Sequence, residues 1–316
     1  MTDLDDAEDP VTDLAEASGR LRMAALFPGQ GSQFMGVGRA LAQRSPVAGE
    51  LFDLASQTIG IDVADLCWHS DESTLAETQN AQLAVVLVGV AAWCSWAQEH
   101  PADRAGAVFA GHSVGMLAAA IAAGCLPVAE GLLLARARGE IMASAPGRGA
   151  MLAVAAGPGE ARERVEQLAH ELALDVAAVN GRRQVVLSGA PDAIEAARTR
   201  LRARAVPLAV SHAFHSRHML PVVERWHAAV ADVSFAPPTG PLVSGVTGAL
   251  LTTGDDVAQD LRDGLVATVR WDLVMARIRP VERWVGFGPA TMLSRIAREE
   301  QHAVTCIGAE RPGALP

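Results

Sequence analysis

Ala107-Val-Phe-Ala-Gly-His-Ser-Val-Gly115 is the stretch of sequence from which the fold can be predicted. Its first four residues are apolar and predict a short buried strand, and the Ala-rich run that follows predicts a helix. Between them lies Gly-His-Ser-Val-Gly, a G-x-S-x-G pattern that is typical of a nucleophile elbow when a strand precedes it and a helix follows. Ser113 is therefore the candidate nucleophile, and the backbone N–H of Val114 is a candidate donor to an oxyanion. The alternative interpretation is a plain strand-to-helix turn with a capping serine.

The alternation of strand and helix continues on both sides of this stretch. Met23–Phe27 predicts another buried strand, a turn-rich loop follows at 28–33, and helical pattern extends to about Phe52. Residues 81–98 predict a strongly apolar helix. Strands that alternate with helices imply a parallel sheet covered on both faces.

A different order of elements follows in residues 149–210. We predict strands at 149–156, 174–179, 184–188 and 205–210, and helices at 158–172 and 192–204. This β-α-β-β-α-β order is that of a ferredoxin-like unit. The predicted fold is thus α/β: a large α/β-hydrolase-like subdomain with a parallel sheet, residues 21–148 and 211–316, into which a small ferredoxin-like subdomain, residues 149–210, is inserted. A ligand site is expected in the cleft between them.

The composition limits the possible functions. Of the 316 residues, 50% are hydrophobic and 20% are charged, which favours a packed core and excludes global disorder. The formal net charge of −10 argues against a general nucleic-acid binder, which would have a basic excess. All 26 basic residues are arginine, so Schiff-base chemistry and P-loop phosphate binding, which need lysine, are excluded.

The cysteines and the N-terminal residues bear on the compartment. The four cysteines, at positions 67, 94, 125 and 306, form no CxxC pair, which predicts free thiols in a reducing cytosol rather than a zinc site. Residues 1–20 carry seven acids and one arginine, lack the basic and apolar regions of a signal peptide, and predict a disordered acidic tail. The longest apolar run, residues 83–94, is too short to span a bilayer. We therefore expect a cytoplasmic protein that binds neither a membrane nor a metal.

A serine hydroxyl is a weak nucleophile and needs a base. The segment Ser211-His-Ala-Phe-His-Ser-Arg-His218 contains three of the nine histidines and follows the last strand of the predicted insertion. Their period of three means that a short helical turn could place all of them on one side. The side chain of His112 should point away from the Ser113 hydroxyl. Residue chemistry alone leaves open which histidine acts, and also leaves open a metal site or capping histidines.

Several separated segments of the chain also occur together, in the same order, in one known family. They are Phe27-Pro-Gly-Gln-Gly-Ser-Gln33, Ala81-Gln82, Gly111-His-Ser-Val-Gly115, Arg138-Gly139, Asn180 with Gln184-Val-Val-Leu-Ser-Gly189, Ser211-His-Ala-Phe-His215, and Gly286-Phe-Gly-Pro289. From about residue 23 to about residue 308 the chain thus resembles the malonyl-CoA:acyl carrier protein (ACP) transacylases and the acyltransferase domains of polyketide and fatty acid synthases.

The resemblance implies a Ser–His dyad and a ping-pong reaction. Ser113 would attack an acyl thioester, and the thiol of a carrier's phosphopantetheine arm would then take the acyl group. His215 matches the family's base, whose second ring nitrogen is oriented by a backbone carbonyl in a segment corresponding to Gly264-Leu265. Gln30 matches the residue whose backbone N–H completes the oxyanion hole with that of Val114.

The resemblance also implies a pocket for the acyl group. Gln82 and Asn180 match residues that line it, and Arg138 matches the arginine that binds the carboxylate of malonyl or methylmalonyl groups. Phe214 resembles the bulky residue of malonyl-selective members. Met116 is a departure, because the family has glutamate at this position.

The implied partners are ACPs and acyl-CoA. We expect a stand-alone transferase without a bound cofactor, whose substrate is an acyl-CoA or a phosphopantetheinyl-ACP thioester, in polyketide or fatty acid biosynthesis. Carrier proteins are acidic, so an arginine patch at the rim of the cleft is expected. The candidates that flank the motifs are Arg148, Arg182, Arg183 and Arg217, with ordinary solvated arginines as the alternative.

Other functions stay open beside malonyl transfer. The change to Met116 fits a trans-acting acyltransferase that moves an aminoacyl or dipeptidyl group between two carrier proteins, whereas Arg138 argues for malonyl. An acyl-thioester hydrolase would share the elbow, but it would normally have an acid between the serine and the histidine in chain order. A catalytically inactive docking protein is a third class, against which the intact Ser113, His215 and Gln30 argue.

Overall fold

Residues 21–155, 162–201 and 205–308 are described by a computed structural model. The predicted acidic tail at 1–20 lies outside the described residues. So do the start of the helix predicted at 158–172 and the end of the one predicted at 192–204.

The large subdomain is built from two stretches of chain on either side of the insertion. The first contains β1 (Met23–Phe27), α1 (Arg39–Arg44), α2 (Pro46–Ile59), α3 (Val63–Trp68), α4 (Glu72–Ala76), α5 (Thr78–Glu99), α6 (Pro101–Ala105), β2 (Ala107–Gly111), α7 (Gly115–Ala122) and α8 (Val128–Ala143). The second contains a 3₁₀ helix (Arg217–Val222), α11 (Val223–Ala231), β7 (Leu242–Val243), β8 (Leu250–Leu251), α12 (Gly254–Asp263), α13 (Trp271–Ile278), β9 (Trp284–Phe287), α14 (Thr291–Glu299) and β10 (Val304–Ile307).

The large subdomain contains a six-stranded sheet in the order β10-β9-β1-β2-β7-β8. The first five strands in this order run parallel to their neighbours, as predicted, and β8 pairs antiparallel with β7 at the edge. The central strands β1 and β2 are fully buried and in register from Met23 with Ala107 to Phe27 with Gly111. This register brings the loop after β1 beside the loop after β2, as expected for the carboxyl ends of parallel strands.

The longest helix, α5, is a core helix of this subdomain. Its 22 residues are long and apolar enough to cross a membrane by length and composition, whereas the run at 83–94 alone was predicted to be too short. However, 83% of its most apolar window is buried inside the protein. The helix packs against α8, α7 and α2, which explains why it is apolar on all sides.

The small subdomain has its own sheet and its own core. It contains β3 (Ala150–Ala155), α9 (Arg162–Glu171), β4 (Asp175–Val179), β5 (Gln184–Gly189), α10 (Pro191–Leu201) and β6 (Ala205–Pro207). The sheet is antiparallel in the order β4-β5-β3-β6, which is the β-α-β-β-α-β arrangement predicted from the sequence. Apolar residues of both helices pack on one face, so this core is separate from that of the large subdomain.

Candidate active site

The strand β2 and the helix α7 meet in a very tight turn at Ser113. Ser113 has a left-handed backbone with φ of 54°, which non-glycine residues rarely adopt. The turn needs both of its glycines: a Cβ at Gly111 would lie 2.2 Å from Gly115 backbone atoms, and one at Gly115 would lie 2.3 Å from the Phe27 carbonyl oxygen. The hydroxyl of Ser113 is thereby presented at the end of the sheet, in the arrangement of a nucleophile elbow.

His215 lies next to this hydroxyl. Its Nε2 is 2.7 Å from Ser113 Oγ, and its Nδ1 is 3.0 Å from the carbonyl oxygen of Ala267. Because a carbonyl can only accept, Nδ1 carries the ring proton, and Nε2 faces the serine as an acceptor. His215 also has a left-handed backbone, with φ of 53°. The pair can therefore move a proton from the serine to the imidazole.

The prediction for the carbonyl that orients His215 was wrong in its position. It was placed at Gly264-Leu265, but the acceptor is Ala267. The carbonyl of Gly264 instead accepts a hydrogen bond of 3.3 Å from Nη2 of Arg138. A motif match finds the segment, but the turn that follows α12 decides which of its carbonyls faces the histidine.

The helical turn that the spacing of the three histidines allowed does not form. The left-handed backbone of His215 interrupts any such turn, and the 3₁₀ helix begins only at Arg217. His215 is buried, whereas His212 is half-buried and is hydrogen-bonded to the exposed Ser211. The structure therefore brings one of the three histidines to Ser113.

The surroundings of His215 favour its neutral form. Burial, followed by the positive charge of Arg138 and the proximity of His112, lowers the pKa of His215 to about 3. Burial disfavours a charged imidazole, and a neighbouring cation does the same. His215 is thus unprotonated and available as a base throughout the neutral range.

Arg138 is a buried cation in the same site. Only 4% of its surface is exposed, and burial lowers its pKa to about 10, so it remains charged at neutral pH. Its Nη1 donates to Gln82 Oε1 at 3.0 Å, and Nη2 donates to Gly264 at the carboxyl end of α12, where the helix dipole is negative. Within the described ranges no carboxylate pairs with this guanidinium.

Gln82 connects Arg138 to the loop after β1. Its Nε2 donates to Gln30 Oε1 at 3.4 Å and lies 3.3 Å from Met142 Sδ. The loop itself packs directly on the elbow, since a Cβ at Gly29 would lie 2.8 Å from the carbonyl oxygen of His112. Gln30 thus lies in the loop that packs on the elbow and lines the same cleft as Ser113.

His112 points away from the Ser113 hydroxyl and into the small subdomain. Its Nε2 donates to Asn180 Oδ1 at 2.8 Å, and Asn180 Nδ2 donates to Gln184 Oε1 at 2.9 Å. Burial lowers the pKa of His112, and its ring packs edge-on against Trp271. Asn180, predicted as a pocket residue, therefore also links the two subdomains at the elbow.

A cleft of about 650 Å³ lies between the two subdomains at this point. Its walls contain most of the predicted site residues, namely Gln30, Gln82, Ser113, Arg138, Asn180, Phe214 and His215. Thr291, Met292 and Arg295 of α14 also line it and were missed. Their place in the sequence, shortly after the motif Gly286-Phe-Gly-Pro289, could have indicated that they line the site.

Met116 lines a second, smaller cavity beside Ser113. A cavity of about 20 Å³, large enough for a single water molecule, is lined by Met116 together with Ser113, Arg138 and His215. Asp260 also lines it; this buried carboxylate accepts a hydrogen bond from the Ser244 hydroxyl, and burial raises its pKa to about 6. Sequence reasoning missed Asp260, because nothing in α12 distinguishes it from the helix's exposed acids.

The four arginines predicted to bind a carrier differ in their surroundings. Arg217 forms a bidentate ion pair with Asp175 of β4, with a shortest distance of 2.7 Å, and Arg182 pairs with Glu300 at 3.5 Å. Arg148 and Arg183 are exposed, and no ion pair joins either of them to another described residue. Across the described ranges, no group of three or more histidine, cysteine, aspartate or glutamate side chains could hold a metal ion.

Comparison with known proteins identifies the family. A family model described as an acyl transferase domain matches residues 25–286. The malonyl CoA-acyl carrier protein transacylase of Bacillus subtilis (strain 168) is 30% identical over 304 residues, which cover 93% of this chain and 95% of that protein. The polyketide biosynthesis protein ThaF of Burkholderia thailandensis is 34% identical over 300 residues, 92% of this chain but 25% of that protein.

Solved structures agree with this assignment. The structure of MCAT from Mycobacterium tuberculosis has a TM-score of 0.85 and 30% sequence identity, covering 91% of this chain and 97% of that one. The malonyl-transacylase PlMCAT, solved in complex with the type II PKS acyl-carrier protein AntF, has a TM-score of 0.83 and 28% identity, covering 90% and 94%. By the extent of the family match and by the identity to full-length relatives, this chain belongs to the acyl transferase domain family.

Proposed function

We propose that this acyltransferase moves a malonyl group from malonyl-CoA, through an ester on Ser113, to the phosphopantetheine thiol of an ACP. The observation that carries the proposal is the buried Arg138, a cation that shares the cleft with Ser113 and His215. The names of the similar proteins support it, since they include malonyl CoA-ACP transacylases and a malonyl-transacylase in complex with its carrier.

The first half-reaction forms the acyl-enzyme. His215 Nε2 accepts the proton of Ser113 as Oγ attacks the thioester carbonyl, and the N–H groups of Val114 and Gln30 stabilise the resulting oxyanion. The Nδ1–H of the imidazolium remains bonded to Ala267. Nε2 then gives its proton to the departing CoA thiolate, and the C–S bond breaks as the ester on Ser113 forms.

The second half-reaction runs the same proton transfers with the carrier. His215 accepts the proton of the phosphopantetheine thiol, and the thiolate attacks the ester on Ser113. The C–O bond breaks, and Ser113 Oγ takes the proton back from Nε2. The products are malonyl-ACP and the free enzyme.

Arg138 supplies the selectivity in this proposal. The guanidinium already donates to Gln82 and Gly264 and has further N–H groups for a bidentate pair with a carboxylate. A buried charge without an anionic partner is costly, so malonyl-CoA gains an interaction that acetyl-CoA lacks. Phe214 on the cleft wall leaves less room for a substituent on the α-carbon.

The proposed carrier site lies among exposed arginines that flank the sequence motifs of the site. Arg182 and Arg217 are already paired with acidic residues of this chain, so Arg148 and Arg183 are the stronger candidates of the four. Arg295 joins them, since it is exposed and lines the cleft. An acidic carrier would pair with these cations at the rim, while its phosphopantetheine arm enters the cleft.

One observation favours the second candidate function, transfer of an aminoacyl or dipeptidyl group between carriers. The cleft is wide for a malonyl group, and its walls include the apolar side chains of Met142, Met151, Leu208 and Met292. Hydrolysis of the acyl thioester is a further alternative, but no described feature of the cleft favours it.

Intact-mass measurement after incubation with a panel of CoA and carrier thioesters tests the proposal. We expect a malonyl adduct that is absent from Ser113→Ala and that disappears when a carrier with a free thiol is added. An aminoacyl or dipeptidyl adduct without a malonyl one would support the second candidate. Loss of the adduct to water as fast as to the carrier would identify a hydrolase. No adduct with any thioester would contradict all three.

A further inference from the structure

The three residues 267–269 connect the candidate base to the small subdomain. On one side, the carbonyl of Ala267 accepts the Nδ1–H of His215 at 3.0 Å. On the other side, the same segment lies along β4, which is the edge strand of the small sheet. The orientation of the imidazole thus depends on a segment that is itself held by a strand of the other subdomain.

Backbone hydrogen bonds join the segment to β4 in parallel fashion. Val269 N–H donates to the Ala177 carbonyl at 2.9 Å, and Val179 N–H donates to the Val269 carbonyl at 2.8 Å. The pairing of β4 with β5 is irregular between Val176 and Ala178, where Ala177 is the extra residue of a bulge. Bulges redirect a strand and are frequent beside active sites. Here the bulged residue supplies the carbonyl that receives Val269.

Thr268 adds a side-chain bond to this junction. Its Oγ1 donates to the Val176 carbonyl at 2.7 Å, in a half-buried position. Thr268 directly follows the Ala267 carbonyl in the chain, whereas the backbone hydrogen bonds to β4 are made by Val269, one residue further on. The hydroxyl therefore restrains the part of the segment that is nearest to the histidine.

We propose that Thr268 is a positioning residue for His215: its hydroxyl fixes the 267–269 segment to β4 and so keeps the Ala267 carbonyl in place to orient the imidazole. The inference rests on the proposed function, because it concerns the base of that reaction. Loss of the hydroxyl would let the Ala267 peptide and the ring reorient together. It would leave the hydrogen bonds of Arg138 to Gln82 and Gly264 in place.

Thr268→Val removes the hydroxyl and keeps the branched shape. We expect the rate of Ser113 acylation at saturating malonyl-CoA to fall about fivefold, as for the loss of one hydrogen bond, with an unchanged KM. Thr268→Ser should restore the rate to within about twofold, since it restores the donor.

Thr239→Val is the matched control. Its Oγ1 likewise donates to the backbone carbonyl of a residue distant in sequence, that of Ala123 at 2.8 Å, and Thr239 is not among the residues that line the cleft. We expect this variant to acylate like the unmodified enzyme. Thermal unfolding of all four proteins shows whether each variant is folded.

A second readout does not depend on turnover. In protein labelled with ¹⁵N-histidine, the Nδ1–H of His215 should give a hydrogen-bonded proton resonance that shifts or exchanges faster in Thr268→Val, and not in Thr239→Val. An unchanged resonance, or a Thr268→Val enzyme as fast as the control, would overturn the inference. An equal rate loss in Thr268→Ser would overturn it as well, by showing a steric effect. Absence of any acyl-enzyme in the unmodified protein would instead contradict the proposed function and leave the resonance as the test.

Discussion

Ser113 and His215 have the same left-handed backbone, with φ of 54° and 53°, but they are held in place by different kinds of contact. The turn at Ser113 is closed by neighbours in sequence, Gly111 and Gly115, and by the adjacent end of β1. The ring of His215 is oriented by Ala267, which lies 52 residues further along the chain. Ser113, the proposed nucleophile, is thus positioned mainly by local structure, and His215, the proposed base, is positioned by a tertiary contact. Substitutions in the two regions should therefore have different effects on stability and on activity.

Gly111→Ala should have the largest effect, because it disrupts the local structure directly. A Cβ there would overlap backbone atoms that have no room to move, and we expect a loss of about 3 kcal/mol of stability together with most of the activity. Chemical denaturation and acylation by malonyl-CoA measure the two. Gly49→Ala in α2 is the control: its Cβ would meet its nearest neighbour at an ordinary 3.6 Å, so stability should be unchanged or slightly higher. Equal stability of Gly111→Ala and the unmodified protein would contradict a sterically closed elbow.

Arg138→Ala should have the next largest effect, on substrate choice rather than on folding of the elbow. Without a partner for the carboxylate, kcat/KM for malonyl-CoA should fall about 100-fold or more, while acetyl-CoA gains relative to it. Arg136→Ala, on the same helix, removes an arginine that pairs with Glu140 instead, and it should keep the preference for malonyl-CoA. If the unmodified enzyme uses acetyl-CoA and malonyl-CoA equally well, the role proposed for Arg138 is wrong.

The pH dependence should also distinguish the two regions, because the protonation of His215 depends on residues distant in sequence. A base acts only when unprotonated, so its activity is present above its pKa and lost as the pH falls through it. With the pKa of His215 lowered to about 3, kcat/KM for acetyl-CoA should show no His215 titration between about pH 5 and about pH 8. Removal of the Arg138 charge should raise this pKa towards the ordinary 6.5, but not fully, because burial is the larger cause.

The measurement is the pH profile of acetyl-CoA acylation for the unmodified enzyme and Arg138→Ala. The acid limb of the variant should lie at higher pH. Coincident profiles would mean that the guanidinium does not influence the base.

Substitutions at the exposed arginines should have the smallest effect and should spare both the elbow and the base. Arg148→Ala and Arg183→Ala should each weaken transfer to the carrier several-fold, an effect that added salt reduces, and leave acylation by malonyl-CoA unchanged. Arg198→Ala is the control, an exposed arginine of α10 that pairs with Glu195. Equal losses in acylation and in carrier transfer would remove these residues from the carrier site.

The distinction between local and tertiary structure also decides what could be predicted. The small subdomain was predicted element by element, because each strand and helix has its own hydrophobic period, and only the ends differ: β6 ends at Pro207 instead of 210. Four strands of the large sheet, β7 to β10, were not predicted; β7 and β8 have two residues each, and so short a strand has no detectable period. The spacing of the three histidines allowed a helical turn, but the left-handed backbone of His215 rules this turn out.

The elbow, the first two strands of the large sheet and the order of elements in the small subdomain could be predicted from the sequence alone, because a nucleophile turn and a strand period are properties of neighbouring residues. The roles of His215 and Arg138 were implied only by the resemblance to a known family. The contacts of His215 with Ala267, of His112 with Asn180 and of Arg138 with Gln82 could be found only in the folded chain. These are contacts between residues more than 50 positions apart. A backbone carbonyl has no side-chain signature, so its role can be found only where the folded chain places it.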